Sequence, residues 1–319
     1  MLKGVALKLA ATFVFVAMSA LIKAIAARYP VGEVVLFRSL FAMTPLLIWL
    51  RWRGELPRAL ATRRPLGHIG RSFAGAGGMF ANFVALSLLP LADATAFTFA
   101  TPLLVVPLAA LVLRETVMPY RWAAVGVGFL GVVVMLSEHF GEGPAAGAGA
   151  ASLGAAVALA GAGSSAVAMI QTRRLTRSEP TGAIVFYFSA FTASIGGLAL
   201  AIFGLWPAGA PLAAFAAGQA FRAPSAPDLA ILAGVGILGG CGQILMTQSY
   251  RYADASVIAA FDYASMLWAM ALGLLAFGET PSPRILAGAA VVVASGVFML
   301  ARSRRHSGPG APEAALEAG

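Results

Sequence analysis

Ionisable side chains lie inside long apolar segments of this 319-residue sequence, and these groups could do chemistry there. A charge in hydrocarbon costs at least about 2.5 to 3.5 kcal/mol, so each such residue is a functional candidate. Asp262, within the apolar segment 255–277, suits reversible protonation or pairing with a cation. The alternative for Asp262 is a structural hydrogen bond between helices. Arg38 could attract an anion or pair with Glu33 or Asp93.

Four polar residues of the first apolar segment share one helix face: Lys8, Thr12, Ser19 and Lys23. At 3.6 residues per turn their spacings return to nearly the same direction, within a stripe about 60° wide. A polar stripe on an apolar helix indicates a solvated pathway. The two lysines could instead extend to opposite membrane interfaces.

Two further apolar segments, 93–113 and 255–277, carry polar and aromatic residues at matching positions. The first also contains Pro102 and Pro107, which remove two backbone hydrogen bonds from a helix. We expect the two segments to converge on one patch, where the aromatic rings either stack on a planar ligand or pack as core. The candidate lining residues are Thr98, Thr101, Asp262, Tyr263, Ser265 and Trp268, with Asn82 as a secondary candidate.

Glu115 and Glu279 are each followed by threonine and end an apolar segment. A carboxylate at a helix end can hydrogen-bond neighbouring backbone amides, so we interpret both residues as gates or structural caps.

The composition excludes a soluble protein, because 60% of the residues are hydrophobic, only 11% are charged and the mean hydropathy is +0.85. The net charge of +9 does not indicate nucleic-acid binding, since Lys and Arg cluster between apolar runs. The single cysteine, Cys241, excludes an intramolecular disulfide, and three scattered histidines argue against a metal site. No cofactor is predicted.

About 20 apolar residues cross a bilayer core, and with that window the sequence predicts ten spans. If the N-terminus is cytoplasmic and basic residues near span ends, such as Arg71, are counted with the adjacent loop, 16 basic residues fall inside, 3 fall outside and 3 lie within spans. This asymmetry follows the positive-inside rule and places both termini in the cytoplasm. The predicted spans are 5–26, 31–50, 68–89, 93–113, 120–137, 151–171, 181–205, 228–249, 255–277 and 284–301.

The sequence repeats internally at an offset of 164 residues, where 96–136 and 260–300 are identical at 14 of 41 positions. Each half then has five spans, and an odd number turns the second copy the other way across the membrane. Inverted repeats are typical of secondary transporters that expose a midplane site alternately to each side.

The segments Ala92-Asp93-Ala94-Thr95 to Arg114-Glu115-Thr116 and Ala253-Asp254-Ala255-Ser256 to Gly278-Glu279-Thr280 resemble the two EamA domains of the drug/metabolite transporter superfamily. The resemblance implies a ten-helix secondary transporter with a central pocket. Relatives handle amino acids, S-adenosylmethionine, riboflavin, metallophores and other metabolites, as importers or exporters. Arg114 departs from the pattern, because the second copy has Gly278 there.

The predicted organisation is a first repeat at 1–137, a periplasmic loop at 138–150, a second repeat at 151–301 and a disordered cytosolic tail at 302–319. The first segment superficially fits a signal peptide, but its removal would break the repeat, so we expect an uncleaved helix. The predicted location is the bacterial-type inner membrane.

The run Gly126-Val127-Gly128-Phe129-Leu130-Gly131 matches a dinucleotide fingerprint without the βαβ context that gives the match meaning. We interpret it as a close helix-packing face. A membrane enzyme should show clustered His, Asp or Glu, so it is disfavoured, as is an open channel. One acid, one or two bases and several aromatics favour a flat, neutral or zwitterionic solute such as riboflavin, with amino acids or S-adenosylmethionine as alternatives. Direction, coupling ion and the choice between monomer and homodimer stay open.

Overall fold

The computed structural model describes residues 2–56, 61–113, 119–140, 148–176, 178–207, 213–252, 262 and 264–306. Within these ranges the chain forms twelve α-helices and no strand. In chain order they are α1 (Leu2–Ile25), α2 (Val31–Trp52), α3 (Pro65–Leu88), α4 (Leu91–Thr98), α5 (Ala100–Leu113), α6 (Pro119–Phe140), α7 (Ala148–Leu175), α8 (Thr181–Gly204), α9 (Ala213–Gln219), α10 (Ala226–Tyr252), α11 (Ala264–Phe277) and α12 (Pro283–His306).

Five of the described helices, α1, α2, α7, α8 and α10, are long and apolar enough to cross a membrane. Four shorter apolar stretches lie at Leu91–Val105, Trp122–Met135, Ala264–Phe277 and Pro283–Phe298. Helix α3 is 24 residues long but is not one of these five. The prediction of an all-helical membrane protein is therefore confirmed, while the count of ten spans stays a prediction.

Large apolar side chains cover much of the outside of the bundle, and several charged side chains lie inside it. Leu66, Phe73 and Leu275 are 82%, 70% and 82% exposed, whereas Lys8 and Glu33 are fully buried. Apolar groups on the outside and charges on the inside are the arrangement that a hydrocarbon solvent favours. The polar residues of the interior are thus the ones to examine for function.

Proline and glycine set several helix ends. Pro30 and Pro180 hold the extended backbone that precedes α2 and α8, with ψ angles of 147° and 150°. Gly54 and Gly278 follow α2 and α11 at φ values of +66° and +65°, where a side chain would be strained. These residues fix where each helix starts and stops, and with it the depth of its side chains.

Helices of the first half (α1–α6) pack mainly on helices of the second half (α7–α12). Helix α1 contacts α10 and α11, and α7 makes the corresponding contacts with α3 and α5. Helix α2 packs against α8, and α6 against α12. Because these contacts cross between the halves, the interior charges of one half meet those of the other.

The glycine run on α6 is a packing face, as expected. A Cβ atom on Gly131 would lie 2.6 Å from the carbonyl oxygen of Gly288, and one on Gly128 would lie 2.6 Å from Leu103. Gly126 faces open space. Small residues at two of the three positions therefore let α6 approach its neighbours closely.

The fourth predicted span is broken into α4 and α5 at Phe99. Pro102 has no N–H to offer to the carbonyl of Thr98, four residues earlier, and the amide of Phe99 instead bonds to the carbonyl of Ala96 at 3.1 Å. The interruption expected from the prolines is thus present, one turn before the first of them.

Two chain segments differ from expectation. Helix α12 continues to His306, so the first residues of the predicted tail, 302–306, are helical. Helix α6 extends to Phe140 and α7 begins at Ala148, so the predicted loop 138–150 overlaps both helices. Glu115, Tyr263 and residues 307–319 lie outside the described residues.

Candidate functional site

Lys8 and Asp262 form an ion pair inside the bundle. The Lys8 Nζ atom lies 2.6 Å from Asp262 Oδ1 and 3.0 Å from the sulfur of Met246 on α10. The Lys8 side chain is fully buried and that of Asp262 is 30% exposed. Asp262 precedes α11, so this pair joins the first half of the chain to the second. Two residues selected separately from the sequence are therefore direct partners.

Lys23, on the same face of α1, forms a second ion pair with the second half. Its Nζ atom lies 3.0 Å from Glu279 Oε1 and donates to the carbonyl of Leu89 at 2.7 Å. The other oxygen of Glu279 accepts the Leu91 amide at 2.9 Å. That amide is at the start of α4 and has no partner within its helix, so Glu279 caps α4.

An aromatic pair lies between α1 and α11 near the Lys8–Asp262 pair. The rings of Phe13 and Trp268 meet edge to face with centroids 5.4 Å apart. The indole N–H of Trp268 is buried without a hydrogen-bond acceptor among the described residues. Ser265 donates to the main-chain carbonyl of Asp262 at 2.5 Å and leaves the carboxylate to Lys8. Trp268 thus supplies a donor that a bound molecule can use.

The predicted threonines at the helix break use their hydroxyls on backbone. Thr98 donates to the carbonyl of Thr95 at 2.6 Å, and Thr101 donates to that of Ala162 on α7 at 3.3 Å. Pro107 lies within α5, as does Pro102, and Asn82 is half-buried on α3. The Thr98 hydroxyl thus bonds within α4 and that of Thr101 joins α5 to α7, whereas the residues around Asp262 form the polar cluster.

Arg38 and Arg71 are both buried beside the ring of Phe188. Their guanidinium carbons lie 5.7 and 4.0 Å from the centroid of the Phe188 ring. Arg38 is 2% exposed and Arg71 is 8% exposed. Sequence reasoning singled out Arg38 but assigned Arg71 to a loop; it lies inside α3. The signal was present, because residue 71 falls within the predicted span 68–89.

Glu33 is not the partner of Arg38. One of its oxygens accepts the backbone amide of Arg222 at 2.9 Å, which ties the start of α2 to the loop before α10. The Nε and Nη1 atoms of Arg38 have no hydrogen-bond partner in the described part of the chain. The structural pairing proposed for Arg38 with Glu33 is therefore wrong.

The EamA-like transporter family matches this sequence twice, over residues 2–137 and 152–301. The chain belongs to this family. The resemblance inferred from the sequence is confirmed, and the chain is a multi-pass membrane transporter of small molecules, not an enzyme.

Named relatives of this EamA-like transporter carry different solutes. An S-adenosylmethionine uptake transporter of Rickettsia prowazekii is 25% identical, over 84% of this chain and 82% of the relative. The pseudopaline exporter CntI of Pseudomonas aeruginosa is 28% identical, over 96% and 97%. A riboflavin transporter of Rhizobium johnstonii is 31% identical, over 78% and 74%.

A solved crystal structure has the same fold, with a TM-score of 0.62 and 22% sequence identity. The alignment covers 95% of this chain and 98% of that one. The likeness supports the arrangement of helices in this EamA-like transporter.

Two corresponding contacts close the helix-to-helix turns of the transporter. Tyr29, before α2, donates to Asp228 on α10 at 2.8 Å, and Arg28 pairs with the other oxygen of Asp228 at 2.8 Å. Hydrogen bonding to Asp228 and burial raise the pKa of Tyr29 above its ordinary value. The contact fastens the turn between the first two helices of one half to the third long helix of the other.

Glu179, before α8, makes the corresponding contact in the second half. Its Oε1 atom accepts the Arg63 amide at 3.0 Å, and its Oε2 atom lies 3.5 Å from His68 Nε2 on α3. Burial alone would raise the pKa of Glu179, but hydrogen bonds from Arg63, Thr62 and His68 outweigh it and hold the pKa below its ordinary value. The turns before α2 and α8 of this EamA-like transporter are thus each fastened to the opposite half of the chain.

Proposed function

We propose that this EamA-like transporter moves a small organic metabolite across the bacterial inner membrane by alternating access. The proposal includes a topology of ten membrane spans with both termini in the cytoplasm. The observation that carries it is the Lys8–Asp262 pair, at 2.6 Å, in which the buried Lys8 of α1 contacts a residue of the second half just before α11. A rocking motion of one half against the other has to act on such a link.

The ion pair gives a physical means of coupling binding to movement. A buried charge that loses its partner is costly, so Lys8 and Asp262 separate readily only when another group replaces one of them. A cationic group of the solute, or a proton, can take the place of Lys8 on Asp262. In this mechanism the second pair, Lys23 with Glu279, holds the opposite end of α1 while the first pair opens.

The proposed solute is a cofactor-like or aromatic metabolite, with riboflavin as the first example. The edge-to-face pair of Phe13 and Trp268 and the unpaired indole N–H of Trp268 support a flat molecule with a hydrogen-bond acceptor. The relatives named for S-adenosylmethionine and pseudopaline support the alternatives, S-adenosylmethionine or another amino acid and a metallophore. They also include both an uptake transporter and an exporter, so direction is left to experiment.

The test is uptake into proteoliposomes that contain the purified full-length protein. Labelled riboflavin, S-adenosylmethionine and tryptophan are offered with and without a pH gradient, to the wild type and to Asp262→Asn. The control variant is Glu55→Gln, because the side chain of Glu55 is 43% exposed and pairs with Arg53 at the surface. Saturable uptake that is lost in Asp262→Asn and kept in the control supports the proposal. Uptake that rises linearly with solute concentration contradicts alternating access.

Reporter fusions test the orientation. Activity of a cytoplasmic reporter inserted after Gly54, and of a periplasmic reporter inserted near Gly218, is expected if the N-terminus is cytoplasmic. The opposite pattern would invert the proposed topology.

A further inference from the structure

Two buried cations share one aromatic ring at the contact between the halves. Arg38 on α2 and Arg71 on α3 lie 5.7 and 4.0 Å from the centroid of the Phe188 ring on α8. A ring face attracts a cation, but it offers no oxygen atom to the N–H groups of a guanidinium. The ring therefore accounts for the position of the two arginines, but their N–H groups still need hydrogen-bond acceptors.

Several of those N–H groups have no acceptor. Nε and Nη1 of Arg38 and Nη1 of Arg71 are buried without a hydrogen-bond partner among the described residues. The Nε atom of Arg71 donates to Thr172 on α7 at 3.1 Å. Burial of a guanidinium without acceptors is unfavourable, and the two like charges also repel each other. An anion between the two guanidinium groups would both accept these hydrogen bonds and reduce the repulsion.

Three of the acids in the described part of the bundle have partners other than the two arginines, and one oxygen of Glu33 accepts the Arg222 amide at 2.9 Å. Asp262 holds Lys8 at 2.6 Å, Glu179 accepts the Arg63 amide at 3.0 Å, and Asp228 accepts from Tyr29 at 2.8 Å. These contacts neutralise or satisfy the acids where they stand. The anion that completes the arginine pair is therefore best supplied by a bound molecule.

The arginine pair lies well inside the bundle. A Cβ atom on Gly239, in the middle of α10, would lie 3.0 Å from Arg38 Nε and 3.1 Å from the sulfur of Met18 on α1. Gly239 thus leaves room for the guanidinium between α1, α2 and α10. Arg38 and Phe188 also stand at the same distance in sequence after Pro30 and Pro180. Arg38 and Phe188 therefore lie at corresponding positions of α2 and α8, which pack against each other.

We propose that Arg38 and Arg71 together bind a carboxylate group of the transported solute. The proposal rests on the proposed transport function and, among its candidate solutes, favours those with a carboxylate, such as S-adenosylmethionine or an amino acid, over riboflavin. A guanidinium offers parallel N–H groups that match the two oxygens of a carboxylate, and such charge-assisted bonds are strong where water is excluded. The solute then carries an acid at the arginines, and the Lys8–Asp262 pair is a separate contact in the same interior.

The experiment compares ligands that differ only in the acid. Purified full-length protein is mixed with S-adenosylmethionine or its decarboxylated form, with tryptophan or tryptamine, and with citrate at millimolar concentration. Riboflavin and its 5′-phosphate form a further pair that reports on phosphate. Binding is measured as the rise in Tm and by titration, for the wild type, Arg38→Gln, Arg71→Gln and the exposed control Arg53→Gln.

At least one acid is expected to bind the wild type about 10- to 100-fold more tightly than its matched amine, the range for a charge-assisted contact. That preference is expected to disappear in Arg38→Gln and Arg71→Gln and to persist in Arg53→Gln. If a Gln variant does not fold, Arg38→Lys and Arg71→Lys are used instead. Lysine keeps the positive charge but lacks the parallel N–H groups of the guanidinium, so these variants are expected to show a smaller preference for the acid.

Four results would overturn the inference, and the first three concern binding preference. They are equal binding of acids and amines by the wild type, an acid preference that survives in the arginine variants, and a preference for the phosphate alone. Failure of every acid to raise Tm more in the wild type than in the Arg38→Gln/Arg71→Gln double variant has the same meaning. Saturable uptake of uncharged riboflavin that is unaffected by Arg38→Gln would leave the transport function standing and remove only the carboxylate.

Discussion

The ammonium group of Lys8 lies 2.6 Å from a carboxylate oxygen of Asp262, which belongs to the other half of the chain. Lys8 is fully buried, so its charge is stable only beside a partner. Lys23, further along the same helix face, repeats the arrangement with Glu279 at 3.0 Å. Helix α1 is thus held to the α11 region by one ion pair near each of its ends.

Removing one member of the first pair should cost more than removing both. Asp262→Asn removes the carboxylate that lies 2.6 Å from the buried Lys8 charge, which we expect to lower stability by about 2 to 4 kcal/mol. The double variant Lys8→Met/Asp262→Asn removes both charges and should recover much of the loss while transport stays absent. Unfolding in detergent, followed by tryptophan fluorescence, measures both effects.

The exposed Arg53–Glu55 pair is the matched control for that experiment. Its side chains are 42% and 43% exposed, so Arg53→Met/Glu55→Gln should change stability by less than about 0.5 kcal/mol. If Asp262→Asn alone is as stable as the wild type, Asp262 does not stabilise the buried charge of Lys8.

Glu279 should act through its cap on α4 as well as through its charge. Glu279→Ala loses the contacts with Lys23 and with the Leu91 amide, which we expect to destabilise the protein by about 1 to 3 kcal/mol. Glu279→Gln keeps an oxygen for the amide and should lose less. Hydrogen exchange at the start of α4 should quicken in the alanine variant. Equal exchange in both variants would argue against the cap.

Local sequence patterns predicted those features of the site that arise within a single helix. The spacing of Lys8 and Lys23 predicted their common face, and Pro102 predicted the break now seen at Phe99. Each is a consequence of helical periodicity or of a missing N–H group. The same reasoning located Asp262, because a charge is conspicuous in an apolar segment.

The pairing of those residues was beyond local patterns. That Lys8 faces Asp262 depends on how α1 packs against α11, which periodicity within either helix does not specify. Phe188 gave no signal, since an aromatic residue in an apolar helix is ordinary core. Arg71 was counted with the basic residues of a loop, although its partners Phe188 and Thr172 lie on other helices of the bundle.

The crossing of α6 and α12 offers a test with an internal control. Gly131→Val would force side-chain atoms into the Gly288 backbone, since even a Cβ atom would lie 2.6 Å from its carbonyl oxygen. We expect a loss of several °C in Tm and reduced yield of folded protein. Gly126→Val, on the same helix, faces open space and should have little effect. Equal Tm values for the two variants would contradict this packing.

Glu179 predicts how stability depends on pH. Its pKa is held below the ordinary value in the folded protein, so the unfolded chain takes up a proton at a higher pH than the folded one. Its contribution to stability is therefore present above the ordinary carboxyl pKa and is lost as pH falls through the folded pKa.

Glu179→Gln removes that contribution. The Tm difference between wild type and variant should be largest near pH 7 and should shrink towards about pH 3.5. The same series with Glu55→Gln, whose side chain is 43% exposed, provides the baseline. A Tm difference that stays constant with pH would mean that the hydrogen bonds from Arg63, Thr62 and His68 do not favour the ionised form of Glu179, and that its contact with α3 rests on packing alone.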